Sequence, residues 1–308
     1  MTTQRVLFVG DVGLDTMIRF ARLPDPDEKV VADALAEGPG GVVTNAAVAA
    51  AGAGARVGLF TGVGDDAAGR TLAAQLDAAG LDVHVDITEK NTCRAVILID
   101  AGGEKRVLLS PDAVMYPQRR TVMDLALDDV AWVHTAAYDR TTAALLLTRC
   151  RSHGVRASVD LEPATMPAGF DDIADLVGDC HTVFLNERAH TLIGATAVAR
   201  LLDAGVPEVV ETRGSRGIRL HTASGTTVIE APALNRPVVD TTGAGDALAG
   251  WHAARRCVGD SAVEALTKAV AAASLSVCAS GGITSYPAVD DVLGVAEQMT
   301  RNKIGQSN

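Results

Sequence analysis

The chain predicts an α/β fold, a mostly parallel sheet wrapped by helices with a smaller sheet added by early strands. Three observations carry that prediction. After Pro117, short apolar runs of the buried-strand type alternate with helical stretches, the order that builds a parallel sheet. Before it, strand-like pieces near positions 16–36 and 94–110 break the alternation and can form a separate sheet. Apolar residues make up 48% of the chain but aromatics only 3%, so the core has to be built from Ala, Val and Leu.

Each element has a local reason. Val6 to Val9 is an apolar run that stops at Gly10, and Thr16–Phe20 and Lys29–Leu35 read as strands. Gly38-Pro39-Gly40-Gly41 opens an alanine-rich helix from about Thr44 to Ala51. Arg56–Thr61 reads as strand and Gly69–Ala79 as helix. Arg94–Asp100 and Lys105–Ser110, joined by Ala101-Gly102-Gly103-Glu104, alternate as a hairpin does. Strands at Ala131–Thr135, Arg156–Leu161, Thr182–Leu185 and Glu208–Thr212 are spaced by helices at Thr141–His153 and from Asn186 to about Ala204. Ile218–Leu220 and Thr226–Ile229 form a second hairpin, followed by helices at Gly245–Cys257 and Ser261–Ala279. The polar tail from Arg301 is expected to fray. No repeat, low-complexity segment or linker divides the chain.

Charge and composition narrow the function. The net charge of −11, without a basic stripe, argues against nucleic acid as a partner. No apolar run is long enough to span a membrane, and no charged-then-apolar leader precedes the first strand. Five scattered cysteines, Cys93, Cys150, Cys180, Cys257 and Cys278, without C-x-x-C spacing, read as reduced thiols of a cytoplasmic protein.

The most informative string is Asp240-Thr241-Thr242-Gly243-Ala244-Gly245-Asp246-Ala247-Leu248-Ala249-Gly250. Small residues at a helix start leave backbone N–H groups and the positive end of the helix dipole open to an anion. A carboxylate placed there, Asp246, makes sense if it handles a proton, which points to phosphoryl transfer onto a hydroxyl with Asp246 as general base. Other strings have both a chemical and a bland account. Asp15, after the first strand, suits a polyol or a turn; Gly40-Gly41…Asn45 suits a hydroxyl or a capped helix. Thr212-Arg213-Gly214-Ser215-Arg216-Gly217 suits nucleotide phosphates or a surface turn. Asn186-Glu187 suits the water shell of Mg²⁺ or simple capping. Trp132 and Trp251 read as packing, and His134 as structural. A dinucleotide fingerprint, a Walker motif and a Gly-x-Ser-x-Gly elbow do not occur.

Taken in order, Gly10…Asp15, Gly40-Gly41…Asn45, Gly62-x-Gly64-Asp65-Asp66-x-x-Gly69, Asn186-Glu187, Thr212…Gly217 and Asp240…Gly250 resemble the ribokinase-like (PfkB) family of carbohydrate kinases over nearly the whole chain. The resemblance implies a ribokinase-like Rossmann-type three-layer domain over 1–308. Lid strands from about 14–37 and 93–111 would be inserted in it and used for homodimerisation. It implies an ATP- and Mg²⁺-dependent kinase acting on a hydroxyl, primary by expectation, of a small sugar or sugar acid. Asp246 would be the base and the N–H groups of Gly243, Ala244 and Gly245 the anion hole. Asp15, Gly40, Gly41 and Asn45 would contact the sugar, with Arg106 offered to an acidic substrate. Asn186, Thr212, Gly214, Ser215 and Gly217 would lie on the nucleotide side. Asp240, Thr242 and Ser285 resemble the monovalent-cation (K⁺) loop of some members. Where the family commonly shows Asn-x-x-Glu, the Glu is replaced by Ala189, so the magnesium anchor falls to Glu187 or to Asp160 and Glu162. Val42 stands where close ribokinases have Lys. The alternatives are a nucleoside kinase, for which only Phe20 and Tyr116 offer aromatic walls near the lid, and a non-catalytic sensor of sugar or nucleotide.

Overall fold

The structure, a computed structural model, describes residues 4–79, 81–101 and 105–306, with side chains described to Arg301. In chain order the strands are β1 (Arg5–Val9), β2 (Gly13–Arg19), β3 (Ala34–Gly40), β4 (Arg56–Gly64), β5 (Asp82–Thr88), β6 (Asn91–Thr92), β7 (Arg94–Ile99), β8 (Lys105–Leu109), β9 (Ala113–Val114), β10 (Val130–Ala136), β11 (Arg156–Leu161), β12 (Thr182–Leu185), β13 (Glu208–Thr212), β14 (Ile218–Thr222) and β15 (Gly225–Ile229). The α-helices are α1 (Val42–Gly52), α2 (Ala67–Ala78), α3 (Arg119–Asp124), α4 (Arg140–Ser152), α5 (Ala174–Val177), α6 (Glu187–Ile193), α7 (Ala197–Asp203), α8 (Ala244–Cys257), α9 (Ala262–Ser276) and α10 (Val289–Gln306).

A nine-stranded sheet runs in the order β15-β14-β13-β12-β11-β10-β1-β4-β5, parallel from β13 to β5 and antiparallel at β14 and β15. The central place of β1 follows from its sequence: Val6, Leu7, Phe8 and Val9 are all at most 1% exposed, a run that only a strand covered on both faces can hide. Apolar side chains of α1, α2, α8, α9 and α10 pack on one face and those of α4 to α7 on the other, so the molecule has three layers. Because neighbouring strands are parallel, the carboxyl ends of β1, β10, β11, β12 and β13 line one edge. That edge is where this kind of sheet presents its ligand groups.

A four-stranded sheet, in the order β3-β2-β7-β8, is built from the strands that broke the alternation. Ala95, Ile97 and Ile99 form its own small core with Met17, while Leu35, Val107, Leu108 and Leu109 are exposed. The turn expected at Gly102-Gly103-Glu104 lies outside the described residues.

Several boundaries differ from expectation. The strand placed at Lys29–Leu35 lies at Ala34–Gly40, so Pro39 is inside it; β3 is an edge strand, where the missing N–H of proline is tolerated. β5 was not anticipated: Asp82, His84 and Asp86 alternate with Val83, Val85 and Ile87, a half-exposed edge strand that reads as polar turn by composition. α9 stops at Ser276 rather than Ala279. A further helix, α10, carries the backbone to Gln306 where fraying from Arg301 was expected; buried Val292 and Ala296 dock it against the core.

One close approach sets the geometry of the site. A Cβ on Gly250, in the second turn of α8, would lie 2.2 Å from the carbonyl oxygen of Ala46 in α1. The bare glycine lets the two helix backbones touch, with their N-termini side by side.

Candidate active site

Two helix N-termini meet at the carboxyl edge of the sheet, and they are finished differently. α1 is closed: the Asp11 carboxylate, just beyond β1, accepts from the N–H groups of Val42 (2.7 Å) and Val43 (3.1 Å). Gly41 makes this possible, with φ at 112° and space for a Cβ only 2.6 Å from the Asp11 carbonyl oxygen. α8 is open: the residue at its start, Gly243, sits in the left-handed region (φ 76°), and among the described residues no side chain caps the helix. By contrast Asp66, Asp139, Asn186 and Ser261 cap α2, α4, α6 and α9 through their side chains. The Ala244 N–H makes only a long bond to the Thr241 carbonyl, at 3.4 Å. A terminus left open in this way, with a positive dipole end, is an anion seat.

Asp246 lies in the first turn of α8, partly buried, and its Oδ2 accepts from Nδ2 of Asn45 at 2.7 Å. Asn45 is buried, and its Oδ1 has no partner among the described residues, leaving an acceptor ready for a hydroxyl. Asp15 stands opposite on β2, so close to Gly40 that a Cβ there would be 2.1 Å from its Oδ2. Asp160 is the penultimate residue of β11, and Glu162 comes directly after the strand. Burial pushes Asp246 up to about 7, with Glu162 and Asp11 adding to the rise against the Asn45 hydrogen bond and Lys105. Burial also raises Asp11 and Asp15 to about 6 each, and drives Asp160 and Glu162 upward together with mutual repulsion in the case of Asp160. Carboxyls poised near neutrality are suited to taking and returning protons.

On the other side of the α8 terminus a cavity of about 560 Å³ is lined by Thr212, Gly214, Ser215 and Gly217 together with Thr241, Ala244 and Gly245. Leu234, Val270 and Ala273 supply apolar walls. The sequence strings around 212–217 and 241–245 therefore face one space, of a size that takes a nucleotide-like ligand.

Other predicted residues stand elsewhere. Arg106 does not reach this cluster: its guanidinium is paired with Asp100 at 3.0 Å. Strand alternation turns the preceding residue, Lys105, the other way, and its Nζ comes within 3.4 Å of the Thr242 hydroxyl. The Lys105 charge also acts on Asp15, Glu162 and Asp246. Asn186 spends its Oδ1 on the N–H of Ala189, and Glu187 forms an exposed ion pair with Arg216. Ser285 donates to the Gly282 carbonyl. Asp240 accepts from the N–H groups of Thr242 (2.9 Å) and Gly281 (3.1 Å) and faces Arg19. His134 is fully buried between Phe8 and Phe184, with Nδ1 on Ser158, and Trp132 and Trp251 are core residues. Sequence reasoning missed Asp11 and Lys105. Asp11 was detectable as a carboxylate one step past a buried strand, matched to a helix opening on glycine. Lys105 depended on which way a lid strand faces.

Comparison with known proteins identifies the fold and the family. The chain is 28% identical over 298 residues to the ATP-dependent ribose-1-phosphate kinase of Halopiger xanaduensis, covering 94% of this chain and 96% of that protein. It is 26% identical to the ribokinase of Bacillus subtilis, with 94% and 99% covered. The fold matches that of Arabidopsis thaliana ribokinase, solved with ribose and ATP, at a TM-score of 0.81 and 23% identity, covering 96% of this chain and 99% of that one. With residues 4–289 matching the description of the family, the chain belongs to the pfkB family of carbohydrate kinases.

Proposed function

We propose that this kinase moves the terminal phosphoryl group of ATP onto a hydroxyl, most naturally a primary one, of a small sugar or sugar acid. The observation that carries the reading is the pairing, on one helix turn, of an uncapped N-terminus with a carboxylate raised to about 7. In this reading Asp246 takes the hydroxyl proton while Asn45 keeps its carboxylate aligned. The N–H groups of Gly243, Ala244 and Gly245 receive charge developing on the transferred group. Asp15 and the free Oδ1 of Asn45 bind sugar hydroxyls, in space left by Gly40 and Gly41. Lys105 offsets negative charge from above. ATP occupies the cavity walled by Thr212, Gly214, Ser215 and Gly217.

Mg²⁺ fits the chemistry of two residues. Glu187 is engaged with Arg216 and Ala189 carries no ligand atom, whereas Asp160 and Glu162 offer carboxylate oxygens among the acidic groups around Asp246. When bound there, the ion would neutralise phosphate charge, a role needing few protein oxygens.

The chain over 1–308 is read as one kinase domain with the four-stranded sheet as its lid. The exposed Leu35, Val107, Leu108 and Leu109 of that sheet support homodimer formation through it. A cytoplasmic place accords with five free cysteines. Among the described residues no helix is long and apolar enough to cross a membrane.

The test is ADP release from ATP and Mg²⁺ across pentoses, hexoses, sugar acids, sugar phosphates and nucleosides. The similar enzyme named for ribose 1-phosphate argues for including phosphorylated pentoses. A sugar, sugar acid or sugar phosphate turned over well above background supports the reading. A nucleoside as the sole good acceptor replaces it with the nucleoside-kinase alternative. ATP binding without transfer to any acceptor replaces it with a sensor.

A further inference from the structure

The loop that precedes the anion seat resembles, in sequence, one that binds a monovalent cation, but its residues here do not fit that use. The Asp240 carboxylate is largely buried, with its side chain 7% exposed, and is already engaged. One oxygen accepts from the N–H of Thr242 at 2.9 Å; the other accepts from the N–H of Gly281 at 3.1 Å and faces Nη2 of Arg19 at 3.4 Å. The same Nη2 donates to the Ser280 hydroxyl at 3.0 Å. Ser285, the third residue of the expected cation set, is turned to the Gly282 carbonyl instead. A positive charge is therefore present beside Asp240, and it is covalently part of the chain.

Its origin matters. Arg19 is the last residue of β2, in the four-stranded sheet, and reaches across 221 positions of sequence to the loop that leads into α8. Lys105, in the same sheet, meets the next part of that loop at Thr242. Two lid cations thus contact the segment just ahead of Gly243, Arg19 at Asp240 and Lys105 at Thr242. The backbone N–H groups that seat an anion are only useful if this loop holds still, since a preorganised donor costs no reorganisation when charge develops.

We propose that Arg19 is a positioning residue that replaces a monovalent cation: it holds Asp240, and through Asp240 the Thr242–Gly245 turn, from the lid. The inference rests on the kinase reading for its catalytic consequence, but its structural half does not. The chain should work without potassium, and ordering of the anion seat should be tied to the lid by a built-in charge.

The experiment uses the intact chain, native and Arg19→Ala, in tetramethylammonium chloride and in KCl at equal ionic strength. Binding of the potassium mimic Tl⁺ is followed by ²⁰⁵Tl NMR and thermal midpoints by calorimetry, neither of which needs a substrate. The native chain is expected to show no Tl⁺ site and no potassium-specific rise in midpoint. Arg19→Ala is expected to gain both, because its vacated carboxylate then accepts a cation. With an acceptor in hand, Arg19→Ala should lose about tenfold in kcat without potassium, the size of one charge-assisted hydrogen bond, and recover with KCl or guanidinium. Arg19→Lys should stay within about threefold of native, since it keeps the charge. A potassium requirement or Tl⁺ site in the native chain overturns the proposal. So does an Arg19→Ala protein that is folded yet indifferent to every cation, whether fully active or dead. Failure to find any acceptor would count against the kinase reading alone, because the Tl⁺ and calorimetric outcomes still decide the role of Arg19.

Discussion

The two sides of the α8 N-terminus are built from different materials. On the donor side the cavity is walled by glycines, hydroxyls and small apolar residues, and among the described residues Arg236 is the one charged group lining it. On the acceptor side Asp11, Asp15, Asp160, Glu162 and Asp246 crowd together, with Lys105 reaching in from the lid. In the proposed reading the donor side recognises its ligand by shape and backbone N–H groups, which need no change of protonation. In that reading the acceptor side strips a proton from a neutral hydroxyl, a task suited to carboxyls that burial has raised, Asp246 to about 7 and Asp11 and Asp15 to about 6. The first arrangement adds nothing unstable to the empty protein; the second leaves charges poorly solvated until a ligand arrives.

The sharpest way to break this contrast is Asp246→Asn. Turnover should fall by about 10²- to 10⁴-fold with the ATP KM little changed, as loss of a positioned base requires. The same change should stabilise the protein. Asp246 titrates at about 7 when folded, against a reference of 3.8, so the folded state holds its proton more tightly. Stability from this group is present at low pH and lost as pH rises from about 4 through about 7. Removing the charge should therefore raise the thermal midpoint at pH 8 by about 2–5 °C. A less stable Asp246→Asn, or one within tenfold of native turnover, contradicts the assignment.

Next in size is a change confined to the donor side. Ala273→Leu would fill the cavity and raise the ATP KM by about tenfold or more, leaving acceptor affinity alone. Comparable loss for both substrates in steady-state kinetics would show that the two sides are not separate. Lys105→Ala tests the acceptor side more gently, with about a tenfold drop in kcat expected. Native kcat/KM should decline as pH falls below about 7, where Asp246 becomes protonated. Because the Lys105 charge holds Asp15, Glu162 and Asp246 down, its removal should move that midpoint upward. A pH profile displaced downward would place Lys105 elsewhere in the chemistry. Smallest of all is Arg106→Ala, expected within about twofold of native activity, since an exposed pair with Asp100 contributes little. A larger effect on an acidic sugar would return Arg106 to the substrate.

Much of this contrast was legible in the sequence, and the illegible part has physical causes. Strings with fixed local geometry, such as Gly243-Ala244-Gly245 at a helix start or Gly40-Gly41 ahead of Asn45, carry their meaning wherever the rest of the chain goes. The β13 turn at 212–217 was readable for the same reason, and it meets the α8 terminus because parallel strands end at one edge. What sequence could not supply was facing. Lys105 and Arg106 are adjacent and both cationic, and only the pairing of β8 with β7 decides which one turns toward Thr242. Nor could spacing show that Glu187 would be taken by Arg216, or Asp240 by Arg19, since those partners are 29 and 221 positions away. Edge strands were the weakest part of the fold reading. β3 tolerates a proline and β5 alternates with charge, so neither looks like the buried strands beside it.

The bare α-carbon at Gly250 has a consequence for how such an enzyme can diversify. It sits one turn after Asp246 on α8, where α8 and α1 are in van der Waals contact along a seam with no room for a methyl group. That seam works as a gauge block: it fixes the spacing of Asn45 and Asp246 without touching either. A new acceptor can be accommodated by rewriting the lid, whose strands approach from another direction. A side chain at position 250 would instead wedge the gauge open and part Asp246 from Asn45, which in the proposed reading misaligns the base for every acceptor at once.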